Sequence, residues 1–274
     1  MWLHPDPSQA LDLAVRLCAV AQLIGLLELT LVRTELTAGG FLDWSMIGIL
    51  SPRTRTRAGS LIRRVFRRLS NHAFIGAAAL DAAVACALLV WPSTAALIAA
   101  AAALHIMLVK RHHMTVDGSD QMMLVVLLTC LLGRIGGSAD ATRAAVTFLA
   151  AELTLAYLVA GLAKAFSPYW QSGKAFAMIA QTRMYGHPVA ARIVRSHPVA
   201  GHAATYAVIC GESFFLLALT SPPPILIAVL IAAAGFHVGC AVVMGLNRFL
   251  WTFAAGYPAV VCTTPFGFPV VPLV

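Results

Sequence analysis

Long apolar stretches separated by short polar segments account for most of the chain. An apolar helix of about 20 residues can cross the ~30 Å hydrocarbon core of a membrane. Because most of the stretches approach this length and are rich in Ala and Leu, they predict helices rather than strands. Ser119 or Asp120 is expected to cap the N-terminus of the helix predicted over residues 121–132, which is the fourth. The pattern predicts seven to eight membrane-spanning helices, over residues 10–31, 73–91, 94–109, 121–132, 141–166, 202–219, 225–244 and, for an eighth, 247–261.

The segments between these helices are predicted to lie at the membrane surface. Residues 33–52 contain glycines and a proline and are too broken to cross, so residues 41–50 are expected at the interface or in a re-entrant segment. Residues 53–70 place apolar side chains at helical spacing among arginines, which is typical of an amphipathic surface helix or of a basic loop. Residues 175–184 are expected to form a surface helix.

The amino-acid composition indicates which class of protein this chain belongs to. Hydrophobic residues make up 60% of the 274 positions and charged residues only 11%, whereas soluble domains have roughly 25% charged residues. These values predict an all-α integral membrane protein, a polytopic helical bundle with interfacial or re-entrant helices. We interpret residues 1–274 as a single transmembrane domain, with a helical core over residues 10–261 and a proline-rich tail over residues 262–274.

Basic residues are unevenly distributed, and this asymmetry predicts the orientation in the membrane. The formal net charge is +8, and seven arginines fall between Arg53 and Arg68. If the N-terminus is outside, most Lys and Arg residues lie in loops on the inner side, as the positive-inside rule requires. We therefore expect a multi-pass protein of a cell (inner) membrane whose basic segments contact anionic lipids, with no nucleic acid as a partner.

Motifs of the common enzyme classes are absent from the sequence. It contains no P-loop, no dinucleotide fingerprint, no H-E-x-x-H and no G-x-S-x-G, which disfavours nucleotide-driven transport and the common hydrolases. The six cysteines include no C-x-x-C pair and are expected to be small packing residues. His112 and His113 precede Asp117 and Asp120, but adjacent histidines face different ways on regular structure, so we expect no metal site.

Ionisable residues inside apolar helices are the candidates for function, because the bilayer penalises each of them. Each needs a partner, a wet cavity or a route to the interface. For Arg16, the alternative is a structural ion pair with Glu28 or Asp81. The residues of this kind are Arg16, Glu28, Asp81, His105, Glu152, Lys164, Glu212 and His237.

Lys164 lies near the end of the predicted fifth helix, just before Pro168 stops that helix. Tyr157, Gly161 and Lys164 are spaced by four and three residues and therefore share one face, where Gly161 would admit a neighbouring helix or a ligand. Trp170 follows at a position that suits a membrane interface. Two interpretations stay open: Lys164 is a partly desolvated base, or its ammonium extends to the lipid headgroups.

His237 lies between Gly235 and Gly239, and this G-x-x-x-G spacing predicts close packing against another helix. A neutral histidine can donate one hydrogen bond and accept another, so His237 either orients a ligand or makes an interhelical hydrogen bond. If the late helix forms a site with the fifth, we predict that His237 and Lys164 line one internal cavity.

The segment Ala160-Gly161-Leu162-Ala163-Lys164, followed by Trp170 and Gly173, resembles a stretch of the vitamin K-dependent gamma-carboxylases. It resembles more closely the related bacterial horizontally transferred transmembrane (HTTM) domain proteins. The resemblance covers about residues 10–260, and its other motifs are Leu42-Asp43-Trp44, Asp117-Gly118-Ser119-Asp120-Gln121, and Phe236-His237 with Asn247, Phe249 and Trp251.

The resemblance implies a chemistry for several residues. In the carboxylases, the lysine that matches Lys164 deprotonates a vitamin K hydroquinone; the oxygenated quinone then removes a proton from glutamate, and the carbanion attacks carbon dioxide. The resemblance thus implies that Lys164 is a catalytic base, that His237 belongs to the same active site, and that a reduced quinone is the cosubstrate. The residues that we assign to cosubstrate binding are Tyr157, Gly161, Trp170 and Asp120.

Three departures separate this chain from the carboxylases. The carboxylases have a histidine where this chain has Ser119 or Asp120, and two consecutive lysines where it has Ala163-Lys164. They also carry a large extramembrane domain that holds the substrate peptide, whereas this chain ends at Val274.

We therefore expect an HTTM-type membrane enzyme that acts on a lipophilic, quinone-like cosubstrate, with a soluble partner protein or a precursor peptide supplied separately. The alternative is a non-catalytic membrane protein, namely a small-molecule carrier, an immunity protein or the membrane subunit of a partner enzyme.

The charge asymmetry predicts that residues 53–68 and 174–195 lie on the cytoplasmic side. Single cysteines placed in either segment, in a background without the native cysteines, should react with a membrane-impermeant maleimide only after the cells are opened. A single cysteine beside Arg134 should react in intact cells. Labelling of both basic segments in intact cells would contradict this orientation.

Overall fold

The computed structural model describes residues 2–3, 5–36, 71–111, 117–266 and 268–269. Two 3-10 helices lie at Arg33–Leu36 and Phe214–Leu216, and the strands β1 (Trp2–Leu3) and β2 (Phe268–Pro269) form one short antiparallel pair. The α-helices, in chain order, are α1 (Pro7–Leu31), α2 (Asn71–Val90), α3 (Ala95–Arg111), α4 (Gly118–Ile135), α5 (Ala139–Ala165), α6 (Pro168–Gln171), α7 (Ala175–Ala180), α8 (Pro188–Ser196), α9 (Pro198–Ser213), α10 (Leu217–Thr220), α11 (Pro223–Met244), α12 (Asn247–Ala254) and α13 (Tyr257–Thr263).

Six helical segments of the described chain are long and apolar enough to cross a membrane. They are α1, α2, α4, α5, α9 together with α10, and α11, while α3 is apolar but shorter. The prediction of an all-α, polytopic membrane protein is confirmed. The first seven predicted spans coincide with these six segments and α3.

Helix α1 lies in the middle of the bundle and packs against α2, α4, α5, α12 and α13. Its buried face recurs every three or four residues, at Leu11, Ala14, Val15 and Cys18, as the helical repeat requires. Small residues on this face let the neighbouring helices approach closely, which is the main source of helix association in a membrane.

The start of α4 differs in detail from the predicted one. Its N-cap is Asp117 rather than Ser119 or Asp120. The Asp117 carboxylate accepts hydrogen bonds from the backbone N–H groups of Ser119 and Asp120, and the Asp120 carboxylate accepts one from the backbone N–H of Asp117. This reciprocal capping box satisfies N–H groups that a helix start would otherwise leave unpaired.

The stretch predicted as an eighth span, residues 247–261, forms two short helices, α12 and α13, instead of one. The break lies beside Gly256, where a Cβ atom would come within 2.8 Å of the Leu153 side chain. Helix α5 therefore packs directly onto the backbone at this break. Helix α13 also includes Cys262 and Thr263, which corrects the predicted start of the tail.

One predicted helix is shorter than expected, and several predicted features lie outside the described residues. The surface helix predicted over residues 175–184 is present as α7 but ends at Ala180. The features outside the described residues are the segment 41–50, the basic segment 53–70, the Leu42-Asp43-Trp44 motif, His112 and His113, and the end of the tail from residue 270.

Gly133 of α4 should be intolerant of a side chain, because a Cβ atom there would lie 2.8 Å from Ala145 Cβ and 3.1 Å from Leu11 Cδ1. We expect Gly133→Ala to lower the free energy of unfolding by about 1–3 kcal/mol through overpacking. Thermal unfolding in detergent measures this loss. The matched control is Gly76→Ala in α2, where no atom lies within 4 Å; an equal loss in both variants would contradict the packing explanation.

Candidate functional site

Lys164 forms an ion pair with Glu212 of the neighbouring helix α9. Its Nζ atom lies 2.5 Å from Glu212 Oε2 and 3.4 Å from the backbone oxygen of Ala160. The Glu212 side chain is 8% exposed, whereas the Lys164 side chain is 23% exposed. The acid is therefore held inside the bundle, while the lysine can still be reached from outside it.

Gly161 is the reason that α5 and α9 lie close enough for this ion pair. A Cβ atom on Gly161 would lie 2.5 Å from the backbone nitrogen of Ser213 and 2.9 Å from the carbonyl carbon of Glu212. A side chain at this position would push α9 away from Lys164. As predicted, Gly161 admits a close neighbour, and that neighbour is a helix.

Gly235 and Gly239 do not have the packing role that their spacing predicts. A Cβ atom at either position would meet no described atom within 4 Å. The prediction of close helix packing at this G-x-x-x-G is therefore wrong. The spacing of the motif gives a shared face but does not say whether a neighbouring helix covers that face.

His237 is 1% exposed and lies against Tyr157 of α5. Tyr157 Oη lies 2.6 Å from His237 Nε2 and 3.1 Å from Tyr257 Oη. If Tyr257 donates to Tyr157 and Tyr157 donates to His237 Nε2, the imidazole proton is on Nδ1. Among the described residues, His237 Nδ1 has no hydrogen-bond partner.

Aromatic rings enclose the Tyr157–His237 pair. Phe215 stacks on Tyr157 with 4.0 Å between the ring centroids, and Phe253 stacks on His237 at 4.6 Å. Phe249 contacts both Phe253 and His237. Because this enclosure is apolar, the hydrogen bonds inside it are stronger than they would be in water.

Trp170 of α6 lies next to Lys164. The Lys164 Nζ atom is 5.4 Å from the centroid of the indole ring, which is within the range of a cation–π interaction. Lys164 thus has an acidic, a carbonyl and an aromatic neighbour on three sides, and all three belong to α5, α6 or α9.

The six predicted site residues fall into two groups. We call the first group, together with Glu212, the α5 site; its predicted members are Tyr157, Gly161, Lys164, Trp170 and His237. Within it, Tyr157 and His237 are in direct contact, but Lys164 and His237 are not. The internal cavity predicted for both of them stays a prediction.

Asp120 lies apart from the α5 site. Its Oδ1 atom is 2.7 Å from Arg248 Nη2, and its backbone oxygen lies 3.0 Å from His105 Nε2. Helix α12 connects the two groups, since Arg248 contacts Asp120 while Phe249 and Phe253 contact His237.

Asp120 and Arg248 line a cavity of about 600 Å³ that neither Lys164 nor His237 lines. We call it the acidic cavity, because its ionisable lining residues are Glu28, Glu35, Asp81, His105, Asp117, Asp120 and Arg248. In the part of the chain that the structure describes, no group of three or more His, Cys, Asp or Glu side chains is arranged to hold a metal ion.

The ion pair predicted for Arg16 with Glu28 or Asp81 is wrong. The Arg16 side chain is exposed. Glu28 Oε1 accepts a hydrogen bond from Asn247 Nδ2 at 2.7 Å, and Asp81 Oδ1 accepts one from Gln22 Nε2 at 3.0 Å. Residues 16 and 22 are on different faces of α1, so Gln22 rather than Arg16 faces Asp81.

Sequence reasoning did not place Glu212 beside Lys164, although Glu212 is among the ionisable candidates, and it did not name Tyr257, which contacts Tyr157. Glu212 carried a signal, since an acid in one apolar helix needs a partner and Lys164 is a cation in another. Tyr257 carried none, because its contact with Tyr157 depends on the break between α12 and α13.

Comparisons of the chain with family models, with curated proteins and with solved structures find no match. The resemblance to the HTTM proteins therefore rests on the short motifs of the sequence alone.

Gly161→Ala should separate α9 from α5, because the nearest atom, Ser213 N, belongs to the backbone and cannot rotate away. We expect a loss of about 1–3 kcal/mol in the free energy of unfolding and a weaker Lys164–Glu212 contact. Thermal unfolding measures the first effect, and cross-linking of paired cysteines on α5 and α9 measures the second. Gly239→Ala, with no atom within 4 Å, is the matched control; wild-type stability of Gly161→Ala would contradict the close contact.

Proposed function

We propose that the protein is a multi-pass membrane enzyme of the HTTM type that acts on a lipophilic, quinone-like cosubstrate at the α5 site. The Lys164–Glu212 ion pair is the observation that carries this proposal. We further propose that it lies in a bacterial inner membrane with its basic segments on the cytoplasmic side, and that a soluble protein or precursor peptide supplies any second substrate.

The contact between Lys164 and Glu212 favours a role for Lys164 as a base over a role as a lipid anchor. A lysine that only anchors a helix extends its ammonium to the headgroups. Lys164 instead contacts Glu212, whose side chain is 8% exposed. Bringing two charges together in an apolar bundle is costly, and such pairs within membrane helices commonly mark functional sites.

The ion pair supports proton transfer at Lys164. When the shared proton is on Glu212 Oε2, Lys164 Nζ is a neutral amine that can take a proton from a hydroxyl group of the cosubstrate. Glu212 keeps its proton in this step, and the resulting ammonium balances the negative charge of the cosubstrate oxyanion. Glu212 acts in this scheme through Lys164 and is a positioning residue.

The partial exposure of Lys164 supports a lipophilic cosubstrate. The Lys164 side chain is 23% exposed and lies among exposed apolar residues of α5, including Leu162 and Phe166. A molecule dissolved in the bilayer could therefore approach Nζ from the side of the bundle. The Trp170 ring, 5.4 Å from Nζ, offers an aromatic face beside the same atom.

Tyr157 and His237 are proposed to orient the cosubstrate or a later intermediate. The His237 Nδ1 atom is buried and has no hydrogen-bond partner among the described residues, and such an atom carries a desolvation cost. A small displacement of the aromatic enclosure would let Nδ1 bind a polar atom of a ligand.

One observation favours the non-catalytic alternative, in which the protein binds or carries a small molecule. The acidic cavity is separate from Lys164 and has a volume in the range of small-molecule sites. Mass spectrometry of lipophilic molecules that co-purify with the wild type and with Lys164→Met separates the two functions. A molecule retained equally by both favours a carrier.

Lys164→Arg and Lys164→Met distinguish a base from an anchor. Arginine keeps the charge and can still pair with Glu212, but guanidinium stays protonated and cannot act as a base. Both variants should insert and fold, and both should lose about 10²–10⁴-fold in rate. The assay is oxygen-dependent conversion of a reduced naphthoquinone by the purified protein, followed by liquid chromatography and mass spectrometry and normalised to folded protein.

Lys174→Arg is the matched control, because Lys174 is an exposed lysine outside the α5 site. It should retain the wild-type rate. Full activity of Lys164→Arg would refute the base role, and no conversion by the wild type would remove the reduced quinone as the cosubstrate.

A further inference from the structure

The charges of the acidic cavity do not balance among the described residues. Arg248 pairs with Asp120, and the Asp117 carboxylate is engaged by the N-terminus of α4. Of the remaining carboxylates, Asp81 and Glu28 accept hydrogen bonds from neutral amides, those of Gln22 and Asn247, and Arg248 attracts Asp81 electrostatically without forming an ion pair with it. No described cation forms an ion pair with either of them.

Burial imposes a larger free-energy penalty on the Asp81 carboxylate than on the Glu28 carboxylate. Asp81 is 2% exposed, and a buried carboxylate without a cation is unfavourable in an apolar bundle. Its hydrogen bond from Gln22 Nε2 supplies one donor, but no positive charge.

Gln22 provides an independent sign that the cavity binds a ligand. Its side chain lines the cavity and is 3% exposed, yet its Oε1 atom has no hydrogen-bond partner among the described residues. Its Nε2 atom donates to Asp81 Oδ1 and approaches the backbone oxygen of Ala101 at 3.4 Å. This fixes the amide orientation and leaves Oε1 as an unused acceptor beside a carboxylate that forms no ion pair with a described residue.

We propose that the acidic cavity binds a small organic cation, an amine with an apolar body. The ammonium would contact Asp81 and the Gln22 Oε1 atom, with Glu28 as a second carboxylate. Leucine side chains of α1 and α3 also line the cavity and would contact the apolar body. An ammonium offers up to three hydrogen-bond donors and one positive charge, which are what Asp81 and Gln22 lack.

This site is distinct from the α5 site of the proposed enzyme, and it is the site that the carrier alternative would use. Neither Lys164 nor His237 lines the acidic cavity. The cavity lies where α1, α3 and α11 end and α4 begins, which is the end of the bundle that the charge asymmetry predicts to be cytoplasmic.

Three probes with one aromatic body and different head groups test the proposal: 2-phenylethylamine, 2-phenylethanol and phenylacetate. Equilibrium dialysis with the purified protein measures their binding. We expect saturable binding of the amine, binding of the alcohol weaker by at least about tenfold, and no binding of the acid, because a charged hydrogen bond is lost. Preferential binding of phenylacetate, equal binding of all three, or no saturable binding of the amine would overturn the proposal.

Variants locate the site. Asp81→Asn should weaken amine binding by at least about tenfold, and Glu28→Gln, which keeps a hydrogen-bonding side chain at the edge of the cavity, should weaken it without loss of folding. Asp140→Asn, at an exposed ion pair with Arg143, is the matched control. Unchanged binding in both cavity variants would overturn the proposal, and retained binding in Lys164→Met would separate this site from the α5 site.

Discussion

A charged side chain inside an apolar bundle loses its water, and the arrangement of α5, α9, α4 and α12 compensates for that loss with ion pairs. Lys164 of α5 pairs with Glu212 of α9, and Asp120 of α4 pairs with Arg248 of α12. Each pair is favourable only if the two helices hold the charges at hydrogen-bonding distance. The ion pairs therefore fix which helices are neighbours, in addition to any chemistry that they support.

The distance between the two charges of each ion pair depends in turn on a glycine, which has no side chain. Gly161 lets the α9 backbone approach α5, and Gly25 of α1 leaves room for the Arg248 side chain, whose Cδ atom would be 2.8 Å from a Cβ at this position. In both cases the ion pair depends on the absence of a side chain at the glycine. Replacing the glycine would disturb the ion pair although no charged residue is changed.

Sequence reasoning predicted the class and most of the helices correctly, but not which charged and polar side chains pair between helices. Apolar length and helical spacing are local properties, so the spans and the shared face of Tyr157, Gly161 and Lys164 followed from the sequence. Pairing is not local. Arg16 is an expected partner by residue type, yet its position on α1 points away from Asp81, and Gln22 takes its place. The packing predicted at Gly235 and Gly239 is wrong because spacing does not reveal which face a neighbour covers.

The position of α12 decides how the predicted site is divided. If residues 247–261 formed one continuous span, Tyr257 would continue the line of that helix. The break beside Gly256 instead brings Tyr257 to Tyr157, while α12, which precedes the break, places Phe253 against His237 and Arg248 against Asp120. Asp120, which the family resemblance groups with Lys164, is thereby held in the acidic cavity. Any effect of Asp120 on proton transfer at Lys164 would have to be transmitted by movement of α12, because no described contact joins the two residues directly.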